Sequence, residues 1–249
     1  MDKYIQSISK AKPGQIVPVV KELEIDDPMD FFARISDYGR SRDCCLFESR
    51  EYLANSGALS FGTSRPALYL TGRGREFSIH ARSDTGKRMI GYLGTDRGRF
   101  SFCEEVEFSQ DTIRGTIKGQ EHRVDEQQRL NMVNQMSVLR AVAYGFSLAS
   151  KPFRVTCGLL GALSYDFIDQ FEILPASEGN LLENPDYELY FADNIFIYDH
   201  QKSQGYCVVN CIITDEDKDQ LINECSHLLE YYASSATAPI PKPQKHEGD

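Results

Sequence analysis

The chain contains no tryptophan, and its basic residues are outnumbered. Twenty-seven Lys and Arg stand against 37 Asp and Glu, a formal net charge of −10. A protein that tracks nucleic-acid phosphates needs clustered Lys and Arg, so that class of partner is excluded. The acidity itself reads as solubility. No run reaches the roughly 18 apolar residues that a membrane span needs. Met1 to Lys12 is polar, so no signal peptide is read and a cytoplasmic location is expected. Metal-ligand spacing is absent: His80, His122 and His200 have no close Cys or His partner, and His227 beside Cys225 has no second such pair. The seven cysteines, at 44, 45, 103, 157, 207, 211 and 225, are odd in number and fit reduced thiols. Cys207 and Cys211 lie in Tyr206-Cys-Val-Val-Asn-Cys-Ile-Ile213, where alternate positions share one strand face, so they read as small core residues. Neither Thr71-Gly-Arg-Gly-Arg75 nor Asp84-Thr-Gly-Lys87 has P-loop spacing. No nucleophile elbow is present. No catalytic residue and no metal site are expected in this chain.

What is present is 41% hydrophobic and 11% aromatic, enough for a substantial core in 249 residues. Met1 to Gln15 reads as a loose arm. Ile16 to Val20 is extended, and Pro18 places it at a sheet edge. Asp27-Pro28 predicts a helix start, with Phe31, Phe32 and Ile35 on one face and Gly39 closing it. Asp43 to Ser49 reads as a buried strand, Ala58 to Leu70 as extended chain broken at Gly62 and Pro66, and Phe77 to Ala81 as a half-exposed strand. Asp84-Thr-Gly86 reads as a turn, with a short helix from Met89. Residues 94 to 124 are weakly patterned and predict a long surface loop with one short strand at Ile113 to Ile117.

A helix is predicted from Asp125 to Ser150, with a stripe through Met132, Met136, Leu139, Ala143 and Phe146. Gly205 to Thr214 is a strand. Thr214 and Asp217 form a near capping box ahead of a helix with the stripe Leu221, Ile222, Cys225, Leu229 and Tyr232. Ser234 to Asp249 reads as a Pro/Lys-rich tail. Strands outnumber helices without regular alternation, which predicts an α+β fold with mainly antiparallel sheet.

The stretch Cys157 to His200 organises the chain. It opens with Gly158-Leu-Leu-Gly-Ala-Leu-Ser-Tyr165-Asp166 and continues through Leu174-Pro175, Pro185-Asp186 and Asp199-His200. This resembles the G-G-x-x-G-Y-x-x-Y-D … LP … PD … DH segment of anthranilate synthase component I. Upstream, Val17-Pro18-Val19, Glu22-Leu23 and Asp27-Pro28 resemble that family's opening. Leu46-Phe47-Glu48-Ser49 resembles its L-L-E-S motif, and Ser56-Gly-Ala-Leu-Ser60-Phe-Gly62 with Pro66-Ala-Leu68 its G-R-Y-S-F-x-G-x-x-P-A-L run. The motifs stand in the family's order over about residues 16 to 235. The wording around Val138-Leu-Arg-Ala141 and Gly158 to Phe171 is most similar to the type fused to its glutaminase. Absence of tryptophan suits an enzyme of tryptophan synthesis, though chance accounts for it nearly as well.

The resemblance implies the N-terminal half of the family's α+β fold: an arm at 1–15, a domain at 16–235 and a linker or tail at 236–249. It implies a part in converting chorismate and ammonia, taken from glutamine, to anthranilate. It places a tryptophan feedback site at Leu46, Phe47, Glu48, Ser49 and Ser60, where Glu48 would meet the ammonium of L-tryptophan. Ala58-Leu59 stands where the family has Arg-Tyr, a departure that bears on effector binding. The family's later motifs (G-D-x-F-Q, Gly-x-Ser-Pro-Glu, Ala-Arg-Asn-Asp and Gly-x-Pro-Lys) are missing. Chorismate and Mg2+ are therefore expected in a C-terminal half, on the same or a separate chain, with a glutamine amidotransferase as further partner. Inside the same resemblance, the N-terminal half of an aminodeoxychorismate-type synthase is the second reading; a non-catalytic amino-acid-sensing module is the third. The carboxylate pairs Asp166 with Glu172 and Asp186 with Glu188 read as solvated or capping groups. Tyr187 to Phe191 and Asn194 to Tyr198 lack polar alternation, which predicts burial on both faces, one of them against the missing half.

Overall fold

Strand pairing divides the chain between two six-stranded, mostly antiparallel sheets, each in its own unit. The computed structural model describes residues 2–48, 58–119, 132–172, 184–214 and 217–241. The first unit is built from the chain up to Pro66, Leu148–Cys157 and the chain from Ala192 onward. The second takes Ala67–Ser147 and Gly158–Phe191.

In the first unit the sheet contains β1 (Gln15–Leu23), β2 (Cys45–Phe47), β3 (Leu59–Thr63), β8 (Ser147–Leu148), β11 (Asn194–Asp199) and β12 (Gln204–Ile212). Their order is β2-β3-β11-β12-β1-β8. Helices α1 (Asp2–Lys10), α2 (Pro28–Ser36) and α5 (Lys218–Thr237) complete it. Val17, Val19, Phe196, Cys207 and Val209 share one sheet face and form a single core with Ile8, Phe31, Ile35, Leu221, Cys225, Leu229 and Tyr232. The stripe predicted for the last helix is therefore its buried face. The helix starts one turn later than the Thr214 signal, since Asp217 itself is the cap and accepts from Gln220 N at 3.0 Å. It also runs through Ser234, where a tail was expected.

The N-terminal residues form α1 rather than a loose arm, because Ile8 buries itself in this core. Asp27 caps α2, accepting from Met29 N and Asp30 N at 2.8 and 2.9 Å, with Pro28 in the first turn. The helix ends in left-handed Asp37, φ 51°, two residues before Gly39. Pro18 is tolerated one strand in from the edge, because its outer neighbour β8 is only two residues long. The described part of the predicted Asp43–Ser49 strand is not buried: β2 is three residues long and Phe47 is 38% exposed. Ile195, Phe196 and Ile197 of β11 are fully buried within this chain. The face expected to await a missing half is already covered there.

A buried hydrogen-bond pair holds α5 to the sheet. Tyr232, without any exposure, donates to Asn194 Oδ1 at 2.7 Å. Asn194 Nδ2 donates to Arg65 O at 2.7 Å. Tyr232→Phe keeps the ring and strands the amide oxygen, so it should cost about 1–3 kcal/mol. A lower urea midpoint at unchanged m-value is the expected result.

The second unit orders β6 (Cys103–Phe108), β7 (Thr112–Ile117), β5 (Glu76–Ala81), β4 (Leu68–Arg73), β10 (Tyr187–Ala192) and β9 (Gly158–Leu163). Leu70, Ile79 and Ile113 lie opposite one another on the core face, all fully buried. Thr71, Ser78 and Arg114 hold the alternate, polar face. The region expected as a long loop is thus largely a hairpin, β6–β7, since its second strand supplies Ile113 and Ile117 to the core. Asp84-Thr-Gly86 is the first turn of α3 (Asp84–Thr95), not a turn between strands. Ser83 is the cap that decides this, accepting from Gly86 N at 3.2 Å. Helix α4 covers Gln135–Ala143 and is capped by Asn134. It is shorter than the predicted 125–150 helix: residues 120–131 lie outside the described residues, and Ser147–Leu148 is strand. Its buried face is Gln135, Val138, Leu139 and Val142, offset from the predicted stripe.

Candidate functional site

The site residues read from the sequence gather at the β2–β3–β11 end of the first unit's sheet. Leu46 lies opposite Gly62, Phe47 opposite Phe61, and Ser60 opposite Tyr198. Opposed residues share a face in an antiparallel pair. Leu46 and Ser60 therefore point to the helix side, and Phe47 points with Phe61 to the other. Gly62 makes this approach possible, because a Cβ there would lie 2.5 Å from Cys45 O and 2.9 Å from Phe196 Cε1.

The side chains involved have distinct environments. Leu46 is half-buried against the core. The exposed Phe47 ring stacks on Phe61 at 5.2 Å and 17°. Glu48 leaves the strand exposed. Ser60 is fully buried, and its Oγ meets His200 Nε2 at 2.7 Å. His200 N donates to Ala58 O at 3.0 Å, and Tyr198 stands edge-on to the His200 ring at 5.0 Å. Ser49 lies outside the described residues. Ser60 is thus engaged with His200 and does not share a face with Phe47. His200 and Tyr198 were not among the predicted site residues. Their only signal was the Asp199-His200 motif, which does not reveal a partner 140 residues upstream.

The thiols beside the site are poor nucleophiles. Burial pushes Cys45 up to about 11, against a lowering bond from the Thr63 backbone, and burial with the Asp43 charge raises Cys44. Among the described residues no three His, Cys, Asp or Glu side chains gather as a metal site.

In the second unit the open sheet face forms a concavity of about 430 Å³, lined in part by Thr71, Arg73, Glu76, Ser78, Glu107 and Arg114. The Gly-rich Thr71–Arg75 run is the β4–β5 hairpin here, with Gly74 at φ 57°. Tyr69 on this face donates to Glu188 at 2.5 Å; burial first, then that carboxylate, pushes its phenol up to about 12. Asp186 and Glu188 each have hydrogen-bond partners within the unit. Asp186 Oδ2 accepts from Gly74 N and from Gln170 Nε2, both at 2.9 Å. Gln135 Nε2 reaches Gly74 O and Glu76 O at 3.0 Å each, and Tyr187 donates to Gln135 Oε1 at 3.2 Å. The Pro185-Asp186 motif thus ties the hairpin turn to the start of α4, a structural duty.

No family model matches the sequence. Anthranilate synthase component 1 of Escherichia coli (strain K12) is 23% identical over 224 residues, which is 87% of this chain and 40% of that protein. The same protein from Buchnera aphidicola subsp. Tetraneura caerulescens is 29% identical over 99 residues, 39% of this chain and 18% of that one. Among solved structures, anthranilate synthase component I from Streptococcus pneumoniae TIGR4 superposes with a TM-score of 0.51 at 13% identity, covering 88% of this chain and 52% of that one. The chain therefore spans about half or less of the length of the proteins it matches. Over most of its own length it is similar to anthranilate synthase component I and shares that fold.

Proposed function

We propose that this chain is the N-terminal regulatory and structural portion of an anthranilate synthase component I, working in the cytoplasm with a C-terminal chorismate-binding half and a glutamine amidotransferase. The observation that carries this is the reach of the similarity: 87% of this chain against 40% of the Escherichia coli relative. Mg2+ and the conversion of chorismate belong to the C-terminal half, and this chain's residues supply folding surface and effector binding.

L-tryptophan is the proposed effector, held at the end of β2. Glu48 is an exposed carboxylate able to pair with its ammonium. The stacked Phe47 and Phe61 offer an apolar face for the indole. Ser60, bonded to His200 on the opposite face of the sheet, would hold β3 in place beneath the stacked rings. A ligand at about 100 times its Kd stabilises the native state by roughly 2.7 kcal/mol. That is about 5–10 °C in Tm for a chain of this size. The expected result is a Tm rise with L-tryptophan that Glu48→Ala removes. Unchanged melting in millimolar L-tryptophan, or an equal shift in Glu48→Ala, would overturn this site.

Ala58-Leu59 in place of Arg-Tyr favours the second reading, the N-terminal half of an aminodeoxychorismate-type synthase without tryptophan control. The same melting experiment separates the two.

A further inference from the structure

The concavity on the open face of the second unit's sheet has no part in the function proposed above. Strand register sets its residues in two adjacent rows. Thr71, Ser78, Arg114 and Glu107 stand opposite one another across β4, β5, β7 and β6. Arg73, Glu76 and Thr116 form the next row, with Glu105 at its end. Opposed residues share a face, so both rows point away from the buried Leu70, Ile79 and Ile113. Thr71, Ser78 and Thr116 are short and make a floor of hydroxyls, and the longer charged side chains around them make the walls. The space between is about 430 Å³, in the range of small-molecule sites, about 300–1,000 Å³. Such sites are mostly apolar; this one is lined by charge and hydroxyl, so it suits a polar occupant. Arg114 and Glu107 are directly opposite, yet no ion pair joins them among the described residues. Arg73, by contrast, already interacts within the chain. The charge of Arg114 is felt along the same face: burial, then Arg114 and Arg82, hold the imidazole of His80 below its usual range.

We propose that this concavity binds a small free α-amino acid as its zwitterion. Arg114 takes the carboxylate, because its planar fork of donors matches two carboxylate oxygens. Ser78, opposite Arg114 on the floor, adds a hydroxyl donor. Glu107 takes the ammonium. The two charges of an α-amino acid hang on one carbon, so they need a cation and an anion side by side and not closed on each other. Cross-strand neighbours meet this need, with Cβ atoms about 4.5–5.5 Å apart. Simpler occupants fit worse. A lone anion would meet Glu76, Glu105 and Glu107 against two guanidiniums, and a lone cation would lie against Arg114. The hydroxyls of Thr71 and Thr116 leave a polar surface for a short polar side chain. The place is separate from the L-tryptophan site at β2, which belongs to the first unit.

L-serine is the probe, since its short hydroxyl side chain suits the floor. In the full chain, the amide chemical shifts of Ser78, Glu107 and Arg114 should move saturably as L-serine is raised through the millimolar range. Glycerate keeps the carboxylate alone and serinol the ammonium alone. Each should bind at least about tenfold more weakly, having lost one charge-assisted contact. Arg114→Gln and Glu107→Gln, at exposed side chains that leave the fold intact, should each weaken L-serine by a similar factor. Glu48→Ala, in the first unit, should leave it unchanged. Absence of a saturable shift at tens of millimolar L-serine overturns the proposal. So does glycerate or serinol binding as well as L-serine, or binding indifferent to either Gln variant.

Discussion

The purified 249-residue chain, given chorismate, ammonia and Mg2+, should form no anthranilate above the buffer rate. Three observations converge on this. The family motifs for chorismate and magnesium are missing from the sequence. The chain takes in 40% of the Escherichia coli relative that it matches. One of the two carboxylate pairs read from the sequence has structural partners: Asp186 holds the Gly74 turn, and Glu188 accepts from Tyr69. Asp186 Oδ2, already accepting from a backbone and an amide donor, is not poised to move a substrate proton. The fluorescence of anthranilate makes the assay direct. Adding the relative's C-terminal portion in trans should restore turnover, and turnover by the pure chain alone would overturn the division of labour proposed above.

The largest loss of stability should come from Gly86→Val. Gly86 sits in the first turn of α3, where a Cβ would lie 2.0 Å from Ala67 O and 3.2 Å from Ala81 Cα. The obstacle is backbone, and it cannot swing aside. Ala67 O accepts from Arg82 N at 2.8 Å, and Ala67 N donates to Phe191 O at 3.0 Å. Relief of the clash must break one of these bonds or lift α3 from the sheet, exposing Met89, Ile90 and Leu93. Overpacking costs about 1–3 kcal/mol where side chains can yield; against fixed backbone the cost should be about 3 kcal/mol or more. That is a large part of the 5–15 kcal/mol typical of a whole domain. Gly91 is the control on the same helix. Nothing lies within 4 Å of a Cβ there, so Gly91→Ala should stabilise by about 0.5–1 kcal/mol. Urea midpoints of the two variants should therefore move in opposite directions. A Gly86→Val chain as stable as the parent would mean that α3 does not press on Ala67.

The two classes of feature differ in how far their physical cause reaches along the chain. Asp27-Pro28, the Leu221–Tyr232 stripe and the β10 and β11 runs were legible in the sequence. Each rests on caps, periodicity or β-rich runs within a few residues. The ordered motifs also made the family resemblance legible, because order survives at an identity of 23%. Asp84-Thr-Gly86 misled because turn residues and N-terminal helix residues overlap; the choice belonged to Ser83 and to burial of Met89 beneath the sheet. The β6–β7 hairpin misled because its outward residues are charged, and its inward ones become a pattern only opposite Phe77 and Ile79. At the candidate site, sequence supplied Leu46 to Ser49 and Ser60 as neighbours by resemblance. Tertiary structure alone decided that Phe47 and Ser60 face opposite ways, through a register set by β3 pairing with both β2 and β11. It alone gave Ser60 its partner, His200, since a hydrogen bond across 140 residues leaves no local trace.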